Sequence, residues 1–191
     1  MTEQIRQLKF VAPPGACRLL LLRHGETTPV REGVAVPLLE GQSNPDLDPV
    51  GVDEARRAAE RLANEDVAAI YIEVHLGEWE GGQYRRRVAA KDPIAVRVVE
   101  EQRWDVIPGA EPMERFAARV RAGIAAVAAA HPDQTVVVVS HGGTIGQALA
   151  EATGSRALAF GPDNGSISEV VVSGSEWTLR RFNDTAHLDR A

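Results

Sequence analysis

Two short apolar runs, each followed closely by a histidine, most constrain how this chain can fold. The first is the run of four leucines at 19–22, which precedes Arg23 and His24. A run of this length predicts a strand buried on both faces, as in the centre of a parallel sheet. Ligands bind beyond the carboxyl ends of such strands in open α/β sheets. We therefore expect Arg23 and His24 to lie at a ligand site.

The residue types after this first strand fit the chemistry of phosphate. An arginine presents a rigid fork of donors that matches a phosphate group, and a histidine can act as a nucleophile. Gly25 allows the backbone to approach a ligand closely. For this tripeptide considered without the rest of the chain, a strand that ends in a solvated polar turn is an alternative.

The second run repeats the arrangement. Four valines at 136–139 are followed by Ser140, His141, Gly142 and Gly143. A helical pattern comes next, so the two glycines would begin a helix, whose N-terminus favours anions. Core packing gives no reason for two buried strands each to deliver a histidine at the carboxyl end.

With these motifs, the sequence resembles the histidine phosphatase superfamily, the phosphoglycerate mutase-like phosphatases. The resemblance runs from about residue 19 to residue 187. It rests on three motifs and a tail, which are Leu22-Arg23-His24-Gly25-Glu26-Thr27, Glu73-Val74-His75-Leu76-Gly77-Glu78-Trp79-Glu80-Gly81, Ser140-His141-Gly142-Gly143 and Phe182-Asn183-Asp184-Thr185-Ala186-His187-Leu188. It implies an α/β fold, a three-layer α/β/α sandwich whose central sheet is mostly parallel with an antiparallel edge.

The resemblance also implies a phosphomonoesterase that works through a phosphohistidine on His24. Arg23 and the amides near Gly142 would hold the phosphate, and His141 would stabilise the transition state. No cofactor is implied, and the histidines are too few and wrongly spaced for a zinc site. The expected partner is a small phosphorylated substrate.

The resemblance implies that Glu73, the first glutamate of the second motif, is the proton donor. Glu78 and Glu80 are rival carboxylates in the same motif. A general acid needs a raised pKa, which the nearby apolar Leu76 and Trp79 could provide. Any one glutamate would otherwise be read as a surface residue.

One part of the family pattern is absent. In relatives, a serine-rich turn and a helix with a second pocket arginine separate the second strand from the acid-bearing motif. Here Tyr71 and Ile72 are followed directly by Glu73. A parallel sheet would need a crossover of a dozen or more residues after such a strand. Either the segment is deleted in this protein or the 191-residue chain omits it, and the cut between two intact motifs favours an omission.

Three further stretches have both a structural and a functional interpretation. The consecutive arginines at 85–87 predict a solvated helix face or lid, or one of them replaces the absent pocket arginine. In the loop at 40–48, Gln42 and Asn44 are substrate contacts or ordinary surface residues. At 110–112, relatives carry Gly-Glu-Ser where this chain has Ala-Glu-Pro, so a family contact from that loop is not expected.

Periodicity predicts the remaining elements. Strands are expected at about 18–22, 67–71, 136–139, 167–172 and 177–182, the last two as an antiparallel edge. Asp48 should cap a helix with Pro49 in its first turn, and a second helix should follow Gly143 and end at Gly154. The apolar faces of two helices should be Val52, Ala55, Ala59 and Leu62, and Met113, Phe116, Val120, Ile124 and Val127. His131 and His187 are expected to be surface caps.

Composition limits the class of protein. The 191 residues suffice for one domain, predicted as a single histidine phosphatase domain over 1–191 with a loose leader at 1–16. The net charge of −6 disfavours nucleic acid, and no apolar run is long enough for a membrane span. The only cysteine, Cys17, is expected to pack in the core, and a cytoplasmic protein is predicted. Edge strands are compatible with a homodimer.

Two alternatives to the phosphatase remain open. A cofactor-dependent phosphoglycerate mutase would share the fold, but such mutases usually carry Trp-Asn where this chain has Pro29-Val30. A phosphate-binding module with weak or no catalysis is the other alternative, and the absent second arginine is its support.

Overall fold

A five-stranded sheet with helices on both faces makes up most of the described chain. The computed structural model describes residues 8–39, 42–65, 67–72, 79, 82–155 and 161–189. The strands are β1 (Cys17–Arg23), β2 (Leu38–Leu39), β3 (Gln42–Ser43), β4 (Val67–Ile72), β5 (Thr135–Ser140), β6 (Ile167–Ser173) and β7 (Glu176–Asp184). The helices are α1 (Pro49–Leu62), α2 (Gln83–Ala89), α3 (Pro93–Glu101), α4 (Met113–Ala130) and α5 (Gly142–Thr153).

The strand order confirms the predicted sheet. It is β4-β5-β1-β6-β7, with β4, β5 and β1 parallel to one another. Strand β6 is antiparallel to both β1 and β7, so the β6–β7 hairpin forms the antiparallel edge. The crossover expected after β4 is supplied by α2, α3 and α4, which precede β5 in the chain.

Alternation along β1 produces the three layers. Leu19 and Leu21 belong to the larger core cluster, with α4 and α5, whereas Leu20 packs in a second cluster that includes Leu62 of α1. Successive side chains of a strand point to opposite faces, so a continuous apolar run covers both. Cys17 lies in the larger cluster as predicted, and burial raises the pKa of its thiol to about 11.

Helix α4 also agrees with its sequence pattern. Met113, Phe116, Val120 and Ile124 are buried against the sheet, and Val127 packs at the edge of the same cluster. The charged side chains of α4 lie on its other faces. No helix in the described ranges is both long and apolar enough to cross a membrane.

The predicted apolar face of α1 is confirmed at Leu62, which packs against the second core cluster, but is wrong at Val52, Ala55 and Ala59, which are exposed. Val52 is 57% exposed, and the buried positions are Gly51 and Ala58. The cap itself is as predicted, since the Asp48 side chain accepts from the amide of Gly51. The helix is rotated because Gly51 and Glu54 both contact the segment after β1, and these two contacts outweigh burial of a few small apolar side chains.

Two glycines allow the backbone of α1 to touch the segment that follows β1. A Cβ atom on Gly25 would lie 2.3 Å from the carbonyl oxygen of Gly51, and one on Gly51 would lie 1.9 Å from that of Glu26. In addition, the Glu26 amide donates to Glu54 Oε2 (2.7 Å). A side chain at either glycine would push the helix away from the histidine motif.

We expect Gly51→Ala to lower the free energy of unfolding by about 1–3 kcal/mol, because the added methyl group overlaps backbone atoms. Chemical denaturation monitored by circular dichroism measures the change. Gly123→Ala is the control, since nothing lies within 4 Å of a Cβ there and an exposed helical glycine replaced by alanine should raise stability by about 0.5–1 kcal/mol. Equal stability of the two variants would contradict the close approach.

Candidate active site

Parallel pairing of β1 with β5 brings the two histidine motifs together. Arg23 is the register partner of Ser140, and the amide of His24 donates to the carbonyl of Ser140 (3.1 Å). The His24 and His141 rings consequently meet edge to face, with centroids 4.7 Å apart. The two strand ends that the sequence singled out thus form one site.

The tautomer of His24 follows from one hydrogen bond. Its Nδ1 lies 2.8 Å from the carbonyl oxygen of Gly25. A carbonyl can only accept, so Nδ1 carries the proton and Nε2 keeps its lone pair. Burial lowers the pKa of His24, and the charges of Arg23 and Arg85 lower it further, against the opposing effect of the Gly25 hydrogen bond. The ring is therefore held neutral, and Nε2 has the lone pair that a nucleophile needs.

Arg23 lies against the first turn of α5. A Cβ on Gly142 would lie 3.6 Å from the Cζ and Nε atoms of Arg23. One donor, Nη1, is held by the carbonyl of Pro162 (2.5 Å). Nε is buried and has no hydrogen-bond partner among the described residues. Because a buried donor without an acceptor is costly, Nε marks a place for an acceptor such as a phosphate oxygen.

The N-terminus of α5 adds backbone donors to the site. His141 is its N-cap residue, and the first intrahelical bond runs from the amide of Ile145 to the carbonyl of His141. The amides of the three residues between them belong to the first turn, which has no intrahelical acceptors and favours anions. The indole of Trp104 borders this turn, with Nε1 3.4 Å from a Cβ built on Gly143.

The loop at 161–166 and the tail hold the segment around His24 in place. The amide of Gly165 donates to the carbonyls of Arg23 (3.1 Å) and His24 (3.3 Å). The Nε2 atom of His187 lies 2.9 Å from the carbonyl oxygen of Gly165. Because a carbonyl can only accept, Nε2 carries the proton and donates this hydrogen bond. The prediction of His187 as a surface cap is therefore wrong, because this contact holds it partly buried over the loop. The sequence feature that indicated a role for His187 was the tail motif at 182–188.

Glu26 and Thr27 continue the motif and contact α2. Asn164 Nδ2 donates to Glu26 Oε2 (2.6 Å). Arg85 Nη2 donates to Thr27 Oγ1 (2.8 Å), and its Nη1 lies 3.6 Å from Glu26 Oε1. Of the three consecutive arginines, Arg85 thus reaches the segment just after His24, although a solvated face was the simplest interpretation.

Several predicted site residues lie elsewhere or outside the described part. Glu73 and its rivals Glu78 and Glu80 fall outside the described residues. Asn44 is exposed, and Glu111 of the loop at 110–112 pairs with Arg119 (3.1 Å). Within the described ranges, no three His, Cys, Asp or Glu side chains cluster as metal ligands would.

A match to a family model shows to which family this chain belongs. The model of the histidine phosphatase superfamily, branch 1, matches residues 19–72 and 72–185. This chain belongs to that superfamily. Its two matched segments meet at Ile72, directly before the second motif at 73–81.

Individual relatives agree with this assignment. A metal-independent phosphoserine phosphatase from Arabidopsis thaliana is 28% identical, over 89% of this chain and 82% of the relative. That alignment runs over 205 positions, more than the 191 residues of this chain, so the relative carries residues that this chain lacks.

Solved structures show the same fold. A mycobacterial glucosyl-3-phosphoglycerate phosphatase superimposes with a TM-score of 0.66 at 26% identity, over 89% of this chain and all of that one. A phosphoglycerate mutase from Bacillus anthracis superimposes with a TM-score of 0.71, over 92% of this chain and 96% of that one. At 19% identity, the likeness to the mutase concerns the fold alone.

We expect His24 to titrate below its ordinary pKa of 6.5, because burial and two arginines disfavour the imidazolium. The unfolded chain therefore takes up this proton first as the pH falls. The stability that the neutral ring contributes is present above pH 6.5 and is lost as the pH falls through the folded-state pKa. Histidine-selective NMR, with His24 assigned from a His24→Asn variant, measures the midpoint. A midpoint at or above 6.5 would contradict the prediction.

Proposed function

We propose that this protein hydrolyses small phosphate monoesters through a phosphohistidine on His24. The observation that carries the proposal is the hydrogen bond from Nδ1–H of His24 to the carbonyl of Gly25. It leaves the Nε2 lone pair in a neutral ring next to His141, at the N-terminus of α5. A nucleophile, a phosphate-binding arginine and a set of backbone donors are then adjacent, as phosphoryl transfer requires.

In the first step, the phosphate binds to Arg23 and the amides at the start of α5. Nε2 of His24 attacks phosphorus, a P–N bond forms, and the P–O bond to the alcohol breaks. His141 donates a hydrogen bond to a phosphoryl oxygen as negative charge develops. Charge neutralisation by protein groups is the main requirement of such a transfer, so no step is assigned to a metal.

Glu73 is the proposed proton donor. Its carboxyl group gives a proton to the leaving alcohol in the first step. In the second step, its carboxylate takes a proton from water, which attacks phosphorus, breaks the P–N bond and releases inorganic phosphate. The same residue thus acts first as acid and then as base.

The substrate class follows from the relatives. The Arabidopsis relative bears the name of a phosphoserine phosphatase, so phosphoserine is the first substrate to test. We assign the activity to one domain that contains both histidine motifs. With a single cysteine and no possible internal disulfide, the protein is expected to act in the cytoplasm.

We expect His24→Asn to reduce phosphoserine hydrolysis by about 10³-fold or more, since the nucleophile is removed. The same variant should fold normally and should no longer gain a phosphoryl group in an intact-mass measurement after rapid mixing with substrate. Near-normal turnover by His24→Asn would contradict the proposal.

The same assays separate the two alternatives. Conversion of 3- to 2-phosphoglycerate, stimulated by the bisphosphate, would make the protein a mutase. Phosphate-induced thermal stabilisation without turnover of any ester would make it a binding module.

We expect Glu73→Gln to slow hydrolysis of phosphoserine by about 10²–10⁴-fold. The first step with para-nitrophenyl phosphate, seen as a burst of nitrophenolate, should be affected far less, because nitrophenolate leaves without a proton. Hydrolysis of the phosphohistidine should be slowed with either substrate, so rapid-mixing kinetics of the first step with both substrates measures the difference. Glu78→Gln and Glu80→Gln are the matched controls, and this signature in either of them instead would reassign the proton donor.

A further inference from the structure

The three consecutive arginines of α2 have different partners. Arg86 donates to the carbonyls of Arg31 and Val34, and Arg87 pairs with Asp92 and lies over the ring of Trp79. These contacts anchor α2 to its surroundings. Arg85 has instead the contacts with Thr27 and Glu26 described above, three and two residues after His24.

Among the described residues, Arg85 uses only part of its guanidinium group for hydrogen bonds. A guanidinium has five N–H donors in a planar fork, and one of these is bonded to Thr27. The contact with Glu26, at 3.6 Å, is longer than a hydrogen bond. The side chain is 41% exposed, so the rest of the fork faces solvent at the edge of the site. An anion at His24 would be within the field of this charge.

A phosphate ester bound at His24 would carry more negative charge than Arg23 balances, so a second positive charge is expected nearby. Arg23 has one of its donors committed to Pro162, and a phosphate ester brings about two negative charges next to Glu26. The positive charge of Arg85 lowers the pKa of both Arg23 and His24. For His24, this effect is next in size to that of the Arg23 charge. The carboxylate of Glu26, itself held by Asn164, positions Arg85 at this place.

The geometry points to Arg85 as a second phosphate-binding residue, supplied by α2 and held ready by Thr27 and Glu26. This inference rests on the proposed function for the identity of the bound group, a phosphoryl group at His24. Its charge comes from a helix that follows the second motif, whereas Arg23 belongs to β1 and the backbone donors belong to α5.

The test compares Arg85→Gln with Arg97→Gln, which removes the same charge from an exposed ion pair with Glu101 on α3. Inorganic phosphate is the probe, and its affinity is measured by calorimetry and by thermal stabilisation, neither of which needs turnover. We expect Arg85→Gln to weaken phosphate binding about 10- to 100-fold, as loss of a charge-assisted hydrogen bond does, and Arg97→Gln to leave it unchanged.

A pH profile provides a readout that a purely structural role would not change. Removal of the Arg85 charge should raise the pKa of His24, so the acid limb of kcat/KM should move to higher pH in Arg85→Gln. Arg85→Lys keeps the charge but not the fork, so its acid limb should stay near that of the wild type while phosphate binding is weakened. This variant also decides the question if Arg85→Gln does not fold.

Three results would overturn the inference. Phosphate affinity in Arg85→Gln equal to that in Arg97→Gln is the first. A loss of activity confined to phosphoserine and absent with para-nitrophenyl phosphate is the second, since Arg85 would then bind the substrate carboxylate. An unchanged acid limb is the third. If the wild type turned over no ester while phosphate binding still depended on Arg85, the proposed function would fail and the phosphate site would stand.

Discussion

The pairing of β1 with β5 is the constraint on which the rest of the site depends. Parallel strands in register bring their carboxyl ends to one edge of the sheet, so Arg23 lies opposite Ser140 and the His24 amide bonds the Ser140 carbonyl. The imidazoles of His24 and His141, each one residue beyond its strand, then meet. Backbone bonds continue the same register beyond both ends of β5, since the Arg18 amide donates to the Gln134 carbonyl (2.9 Å) at the other end.

Around this pair, three separate parts of the chain hold the segment that follows β1. Helix α1 touches it through the backbone at Gly25 and Gly51, the loop at 161–166 bonds the carbonyls of Arg23 and His24, and α2 contributes Arg85. Each contact fixes backbone or side-chain atoms within a few residues of His24. Side chains that are ordered before a ligand arrives lose little entropy when it binds.

Sequence patterns predicted the strands and α4 well because their burial is continuous or strictly periodic. The four leucines cover both faces of the sheet, and Phe116 and Val120 follow the helical period against it. The same reasoning gave the wrong face for α1, where Val52 is exposed. There the rotation is set by a glycine and by a carboxylate–amide bond, neither of which contributes to apolar periodicity. The prediction for His187 was wrong because its contact does not contribute to a local pattern either. The carbonyl of Gly165 that it contacts lies 22 residues away along the chain.

From the sequence alone follow the two buried strands and the histidines beyond their ends. These features are local, because a run of apolar residues and the residues next to it are read in one place. The tautomer of His24 is set by the carbonyl of the next residue, Gly25, once the backbone turns at the end of β1. The acceptor that Arg23 Nη1 uses, the contact of His187 and the placement of Arg85 depend on residues distant in the chain. These three are set by hydrogen bonds between parts of the chain that only folding brings together, so the tertiary structure decided them.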